Sequence, residues 1–278
     1  VHLTFDDGPT SARDGTGVTV EVLDTLAEHD VNATFFLHGI AINEWEGLLL
    51  ARMLHDGHAI GNHLWQHGRN TVRDKTPLMR LVDQYLMAEI RIREVLRITD
   101  DTAFARYLAQ PKLFRRPGGD PTLNSFLEPA TITRLKAKVR TQWYREHLLW
   151  LDGVYDYSGW HCTLGDSMPH LKYRATTVAE GLKYLLSGVH GYTGVDSYLC
   201  AGDPAQRSVE AAQGLIVLLH DASPVTRKAL PTVIHELRAR GAVFAPLPRS
   251  ADGPNQQAVS IAIPPTPDPQ SGLCQPHS

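Results

Sequence analysis

Short apolar runs alternate with amphipathic stretches along most of this chain, and that alternation constrains its fold more than any other feature. Val1 and Leu3 open one apolar run. Ala33 to Leu37 (ATFFL), Ala59-Ile60-Gly61, Lys112 to Phe114, Leu148 to Leu151 (LLWL), Gly214 to Leu219 (GLIVLL) and Ala242 to Ala245 (AVFA) follow, and each reads as a strand. Between them, Val20, Leu23, Leu26 and Ala27 share a helical face, and Trp45, Leu48, Leu49 and Met53 suggest a second helix closed by Gly57. Thr76 suits an N-cap and Pro77 the first helical position. They open a long helix whose apolar face runs through Leu78, Leu81, Val82, Tyr85, Leu86, Ile92, Val95 and Leu96. Leu230 to Arg240 reads as a helix stopped by Gly241. Repeated strand–helix alternation predicts an α/β fold with a mainly parallel sheet or barrel.

The chain has 278 residues, 42% hydrophobic and 21% charged, which is enough for one large domain or two small ones. Its net charge of -3 offers no basic balance for nucleic acid or an anionic membrane surface. No apolar run approaches the roughly 18 residues needed to span a bilayer. No signal peptide is visible, and a strand beginning at Val1 reads as a fragment or a trimmed mature form. Cys162, Cys200 and Cys274 are too few for a disulfide framework and fit no zinc spacing. Cys162 and Cys200 either pair across a loop or are buried thiols. Residues 155–213, rich in Gly, Tyr and Ser, read as a long excursion between core strands, of the kind that shapes substrate access. Residues 251–278, rich in Pro and Gln, read as a tail or linker.

Ionisable groups recur just after the apolar runs: Asp6 and Asp7, His63, Arg115, Asp152 or Asp156, and His220. In a parallel sheet all of these lie on one rim, where α/β enzymes build their sites. Asp6 and Asp7 precede Gly8-Pro9, so a strand ends there in two adjacent carboxylates. An Asp-Gly turn is a common solvated feature. Two carboxylates that close, if buried, instead ask for a metal, an arginine or a shared proton. His63 and His67 are four apart, which suits one metal. With 14 histidines, about 0.7 such pairs arise by chance, so the pair alone is a weak signal. Joined to the acidic pair, it makes a two-histidine, one-carboxylate set with positions left for water and substrate. Zinc is the default ion for that set, and iron(II) or cobalt also suit it. His220, followed by Asp221, reads either as a hydrogen-bonded strand end or as a proton donor.

In these residues the chain resembles the polysaccharide deacetylases of the NodB-homology type, the family 4 carbohydrate esterases. Thr4 to Pro9 (TFDDGP) matches the first motif of that family. His63 to His67 (HLWQH), after Gly61-Asn62, matches the second in both histidines, and Phe114 to Gly119 (FRRPGG) matches the third. Leu218-Leu219-His220 matches the fifth, and the motifs keep their order across residues 1–250.

The resemblance implies a distorted (β/α) barrel of about seven strands over residues 1–250, with its site at the C-terminal rim. It implies a divalent metal, zinc or cobalt, held by Asp7, His63 and His67. Asp6 would be the general base, held ionised by Arg115, and His220 the general acid. The Gly118 N–H would help stabilise the oxyanion. The substrate would be an acetylated polysaccharide or oligosaccharide, chitin-like or peptidoglycan, outside the cytoplasm. An O-acetyl esterase of xylan type, or an envelope-binding protein on a retired enzyme fold, are the alternatives. Two departures stand out. Leu64 replaces the hydroxyl residue that usually follows the first motif histidine. The fourth motif is irregular: Asp156 is the best match for the carboxylate that supports His220, with Asp152 its rival. Tyr157 or Trp160 would wall the acetyl group. Arg116 reads as a surface charge, with substrate contact the alternative.

Overall fold

The computed structural model describes residues 1–11, 14–67, 78–119, 129–138, 141–151, 154–156, 162–163, 166, 177–187, 216–239 and 241–247. Its elements, in chain order, are β1 (His2–Gly8), α1 (Val18–Glu28), β2 (Thr34–Leu37), α2 (Gly47–His55), β3 (Ala59–Asn62), α3 (Leu78–Thr99), α4 (Asp101–Ala109), β4 (Lys112–Phe114), α5 (Pro129–Lys138), α6 (Gln142–His147), β5 (Val154–Asp156), β6 (Cys162–Thr163), α7 (Val178–Ser187), β7 (Ile216–His220) and α8 (Pro224–Ala239).

The strands form one sheet in the order β5-β4-β3-β2-β1-β7-β6. Every neighbouring pair is parallel, as strand–helix alternation predicts. Among the described residues no pairing joins β5 to β6, so the sheet is not seen to close into the expected barrel.

Strand side chains alternate between faces, and the burial follows. Leu3, Phe5, Phe35, Leu37, Val217 and Leu219 face a cluster shared with α1, α2 and α8. Burying each such side chain fully contributes about 1.5–3 kcal/mol. Phe36, Leu113, Ile216 and Leu218 face the other side, with Leu247. Thr4 and Asp6, one residue out of phase with Leu3 and Phe5, are therefore polar residues on an inner apolar face. A third cluster joins Leu64, Tyr85 and Phe114 to Ile132, Leu148 and Leu151.

Five readings of the sequence are corrected. Leu148–Leu151 is a 3-10 helix, and the strand lies just beyond it at Val154–Asp156. A continuous apolar run carries no period to separate the two. In the helix Leu148 and Leu151 are buried and Leu149 is 56% exposed, which suits three residues per turn. Ala242 to Ala245 is not a sheet strand. It runs beside the start of β1, where the Ala245 N–H donates to the Val1 carbonyl (3.1 Å), and it leads to Leu247, which covers the inner face from below. Helix α8 begins six residues before Leu230, and Pro231 sits inside it. Gly241, at φ 80°, does end it: the Ala242 N–H reaches back to the Leu237 carbonyl (3.0 Å), which requires the left-handed turn glycine supplies. Helix α2 buries Leu50 and Leu54 beside Leu49 and Met53, while Trp45 and Leu48 stay exposed. In α1 it is Val22, not Val20 or Ala27, that joins Leu23 and Leu26 in the core.

The excursion at 155–213 carries β6, Asp166 and α7. Thr76, Pro77, Asp152, Tyr157, Trp160, Cys200 and the 251–278 tail lie outside the described residues.

Candidate active site

Most ionisable groups of the site stand at the C-terminal end of a strand. Asp6 and Asp7 end β1, and the next residue after β2, β3 and β4 is His38, His63 and Arg115 respectively. His220 ends β7, opposite Asp6. The two acids diverge because the chain bulges between them. Asp6 pairs with Phe36 and Gly8 with Leu37, so Asp7 is the extra residue, at φ 73°. Gly8 must follow, because a Cβ there would lie 2.1 Å from the Asp221 carboxylate.

Asp6 is buried, and its Oδ1 accepts from Arg115 at 2.9 Å. The Arg115 side chain is fully buried, donates also to Thr4 Oγ1 (2.6 Å) and lies over the Phe36 ring at 4.4 Å. Asp6 is thus a buried carboxylate held in place by one arginine.

Asp7 is the more exposed acid, and histidines surround it. His38 Nε2 lies 3.0 Å and His63 Nε2 3.4 Å from its Oδ1, and His220 Nε2 lies 4.0 Å from its Oδ2. Burial disfavours its charge, but hydrogen bonds from His38 and His63 outweigh that and hold the carboxyl well below the usual carboxylate range. Burial lowers the His38 pKa more than Asp7 raises it, so its imidazole is neutral near pH 7. Donor atoms of Asp7, His38 and His63 lie within 4.8 Å of one another. A carboxylate and two imidazoles at that spacing fit a divalent ion of the zinc or cobalt kind.

The missing hydroxyl at Leu64 is replaced in two ways. His63 Nδ1 bonds the Arg115 carbonyl (2.8 Å), which leaves Nε2 free toward the acids. Asn62 Oδ1 accepts the Leu64 N–H (2.9 Å) and fixes a turn in which Leu64 takes φ 64° and is buried in the third cluster.

His220 is gripped from behind by Asp166. One Asp166 oxygen meets its Nδ1 at 3.0 Å, and the other accepts its backbone N–H at 2.9 Å and the Thr226 hydroxyl. Burial lowers the pKa of His220, but the Asp166 carboxylate, with Asp7 and Asp6, pushes it up to about 9. Beside it, burial pushes the Asp221 carboxyl up to about 7, against the Thr19 hydroxyl bonded to it at 2.7 Å. The unfolded carboxyl ionises near pH 3.8, while the folded one keeps its proton to about pH 7. Asp221 therefore costs stability progressively from pH 4 to 7, by roughly 4 kcal/mol at neutral pH at 1.36 kcal/mol per pKa unit. Asp221→Asn removes that cost. Its gain in unfolding free energy over wild type grows from pH 4 to 7 and then levels; a gain that does not change with pH overturns this account.

Residues 1–131 match the family described as polysaccharide deacetylase. Over these residues the family model and the motif resemblance agree. A 71-residue stretch is 46% identical to the peptidoglycan-N-acetylglucosamine deacetylase PgdA of Listeria monocytogenes, covering 26% of this chain and 14% of that protein. The chain thus spans about a seventh of the length of this curated relative. A CE4 esterase of Streptococcus mutans superposes with a TM-score of 0.60 at 26% identity, covering 88% of this chain and 84% of that one. A family 4 acetyl xylan esterase of Clostridium thermocellum, solved with a cobalt ion, shares the fold at a TM-score of 0.54 and 24% identity, over 88% and 87% of the two chains.

Within this deacetylase fold, Asp6, Asp7, His63, Arg115 and His220 converge. His67 stands beside them, its ring centroid 6.2 Å from that of His63 and 5.9 Å from that of His38, outside the tightest donor set. Gly118, at φ 65°, lies exposed in the turn after β4. Arg116 is 6% exposed, so it is not a surface charge. The partner expected for His220 is corrected. Asp156 lies on β5, opposite Phe114 and five strands from β7, while Asp166 makes the bond. Sequence reading missed two residues. His38 follows an apolar run just as His63 does, so the same positional rule finds it. Asp166 stands 54 residues before His220, and no motif or period marks it.

Proposed function

We propose that the protein is a metal-dependent hydrolase that removes N-acetyl groups from an N-acetylglucosamine-type polysaccharide, chitin-like or peptidoglycan. The observation that carries this reading is the convergence of three differently prepared groups on one rim: Asp6 bound to Arg115, Asp7 among imidazoles, and His220 bound to Asp166. An acetamide is a weak electrophile with a poor leaving group, so its hydrolysis needs help at the water, the carbonyl and the nitrogen. A divalent ion held by Asp7, His63 and His67 would lower the pKa of water toward neutral and polarise the acetyl carbonyl. Asp6, oriented by its bond to Arg115, takes the proton of the attacking water. His220, charged through its bond to Asp166, gives a proton to the departing nitrogen, a step worth typically about 10²–10⁴-fold. The Gly118 N–H is the proposed donor to the oxyanion, and Tyr157 or Trp160 the wall for the acetyl methyl. Zinc is the proposed ion. The likeness to a peptidoglycan deacetylase supports action outside the cytoplasm.

The test is acetate release from chitooligosaccharides and from peptidoglycan with added Zn²⁺ or Co²⁺, run beside acetylated xylan. Release from the N-acetyl substrates, lost on chelation and restored by metal, is expected. Release from xylan alone makes the protein an O-acetyl esterase, and none from any substrate favours a retired enzyme. The acid role has its own expected result. Asp166→Asn lowers kcat by roughly 10²-fold or more while metal content stays at wild-type level. Full activity in that variant removes His220 from the proton path.

A further inference from the structure

The sheet register brings a histidine to the metal donors that the two-histidine motif does not include. Leu37 of β2 pairs with Asn62 of β3, and Gly8 of β1 pairs with Leu37. The residues next to these pairs, Asp7, His38 and His63, therefore stand side by side on three adjacent strands. The His63 N–H donates to the Leu37 carbonyl (3.0 Å), and the His38 N–H to the Gly8 carbonyl (2.9 Å), which locks the three at one height.

The separations suit donors that share one ion. Donor atoms bound at about 2.0–2.2 Å to one ion lie about 2.8–3.6 Å apart, for octahedral to tetrahedral angles. His38 Nε2 and His63 Nε2 lie 3.0 and 3.4 Å from the same Asp7 oxygen. Both values fall in that window, and His38 is the nearer of the two. Asp6 Oδ2 lies 3.7 Å from His63 Nε2 and is outside the window, and its other oxygen belongs to Arg115. The His38 and His63 rings lie 4.6 Å apart, tilted by 35°, so they converge on the carboxylate from one side. His38 is 5% exposed, and its Nδ1 has no hydrogen-bond partner among the described residues. Asp7 is its side-chain partner at 3.0 Å, and the Leu64 backbone is a further polar neighbour of the ring.

We infer that His38 is a direct ligand of the metal, joining Asp7 and His63, with His67 on the open side as the third imidazole. This rests on the metal-dependent reading above. A site of three imidazoles and one carboxylate is richer in nitrogen than one of two imidazoles. It favours zinc, cobalt or nickel over magnesium or manganese. It also leaves room for water only if the ion takes five or more ligands.

X-ray absorption of the zinc-loaded and cobalt-loaded protein counts the imidazoles around the ion, and competition with a chelator gives the affinity. The variants are His38→Gln, which keeps a side-chain N–H near Asp7, and His38→Ala. Three imidazoles are expected in wild type and two in both variants. Affinity falls by more than about 100-fold in both, beyond the 10- to 100-fold typical of a group that only orients a ligand. Two imidazoles in wild type, an unchanged count in the variants, or wild-type affinity restored by Gln each overturn the inference and leave His38 as a positioning residue for Asp7. A wild-type protein that takes up no metal overturns the metal-dependent reading itself, a distinct result.

Discussion

Asp6→Asn keeps its metal and loses its reaction. The expected fall in kcat is roughly 10²–10⁴-fold, the usual range for removal of a positioned general base, with zinc content at the wild-type level. The asymmetry follows from the geometry. Asp6 gives its Oδ1 to Arg115 and stands 3.7 Å from His63, whereas Asp7 has two imidazole nitrogens within 3.4 Å of one oxygen. Asn at position 6 can still accept from Arg115, so the fold around it survives, but it cannot take a proton. Asp7→Asn should do the opposite and lose metal affinity first. Elemental analysis beside acetate-release kinetics separates the two. An Asp6→Asn protein that is empty of metal would mean that the roles of the two acids are reversed.

Arg115→Met destabilises the fold by roughly 3–5 kcal/mol, the cost of leaving one partner of a buried ion pair uncompensated. Arg115 is fully buried on the inner face of the sheet, between Thr4, Asp6 and the Phe36 ring. Methionine fills much of the same volume, so the loss is mainly the stranded Asp6 charge rather than a cavity. That origin has a signature. Adding Asp6→Asn to Arg115→Met removes the stranded charge, and the double variant recovers a large part of the loss. Urea unfolding of the four proteins in this cycle measures it. A loss below about 1 kcal/mol for Arg115→Met, or additive losses in the double variant, would show that the pair is not what holds this face together.

The strand ends were legible in the sequence because one rule governs them. A parallel strand stops where its apolar run stops, and the next residue faces the rim. That rule reaches Asp6, Asp7, His63, Arg115 and His220, and it applies equally to His38, hidden only because ATFFLHG carries no motif spacing. It fails for Asp166, which ends no apolar run and matters through a single tertiary contact. It also misleads at LLWL, where a buried 3-10 turn looks like a strand, and at AVFA, where apolar residues cover the sheet from below instead of extending it. The bulge at Asp7 was the other hidden element. Adjacent acids on a regular strand point to opposite faces, but here the extra residue turns Asp7 toward the histidines while Asp6 stays in register with His220.

The pairing of β1 with β7 has a consequence for how the molecule is made. His2 stands opposite Ile216 and Asp6 opposite His220, so the centre of the sheet joins parts of the chain more than 200 residues apart. Closing so long a loop is entropically costly and slow. During synthesis, the carboxylates and the His38–His63 pair emerge within the first quarter of the chain, while the strand that covers β1 emerges only in the last. Until then β1 has an open edge beside β2, and an early-bound ion would have no acid across from it. The residues proposed to hold the ion are therefore synthesised well before the residue proposed to deliver the proton.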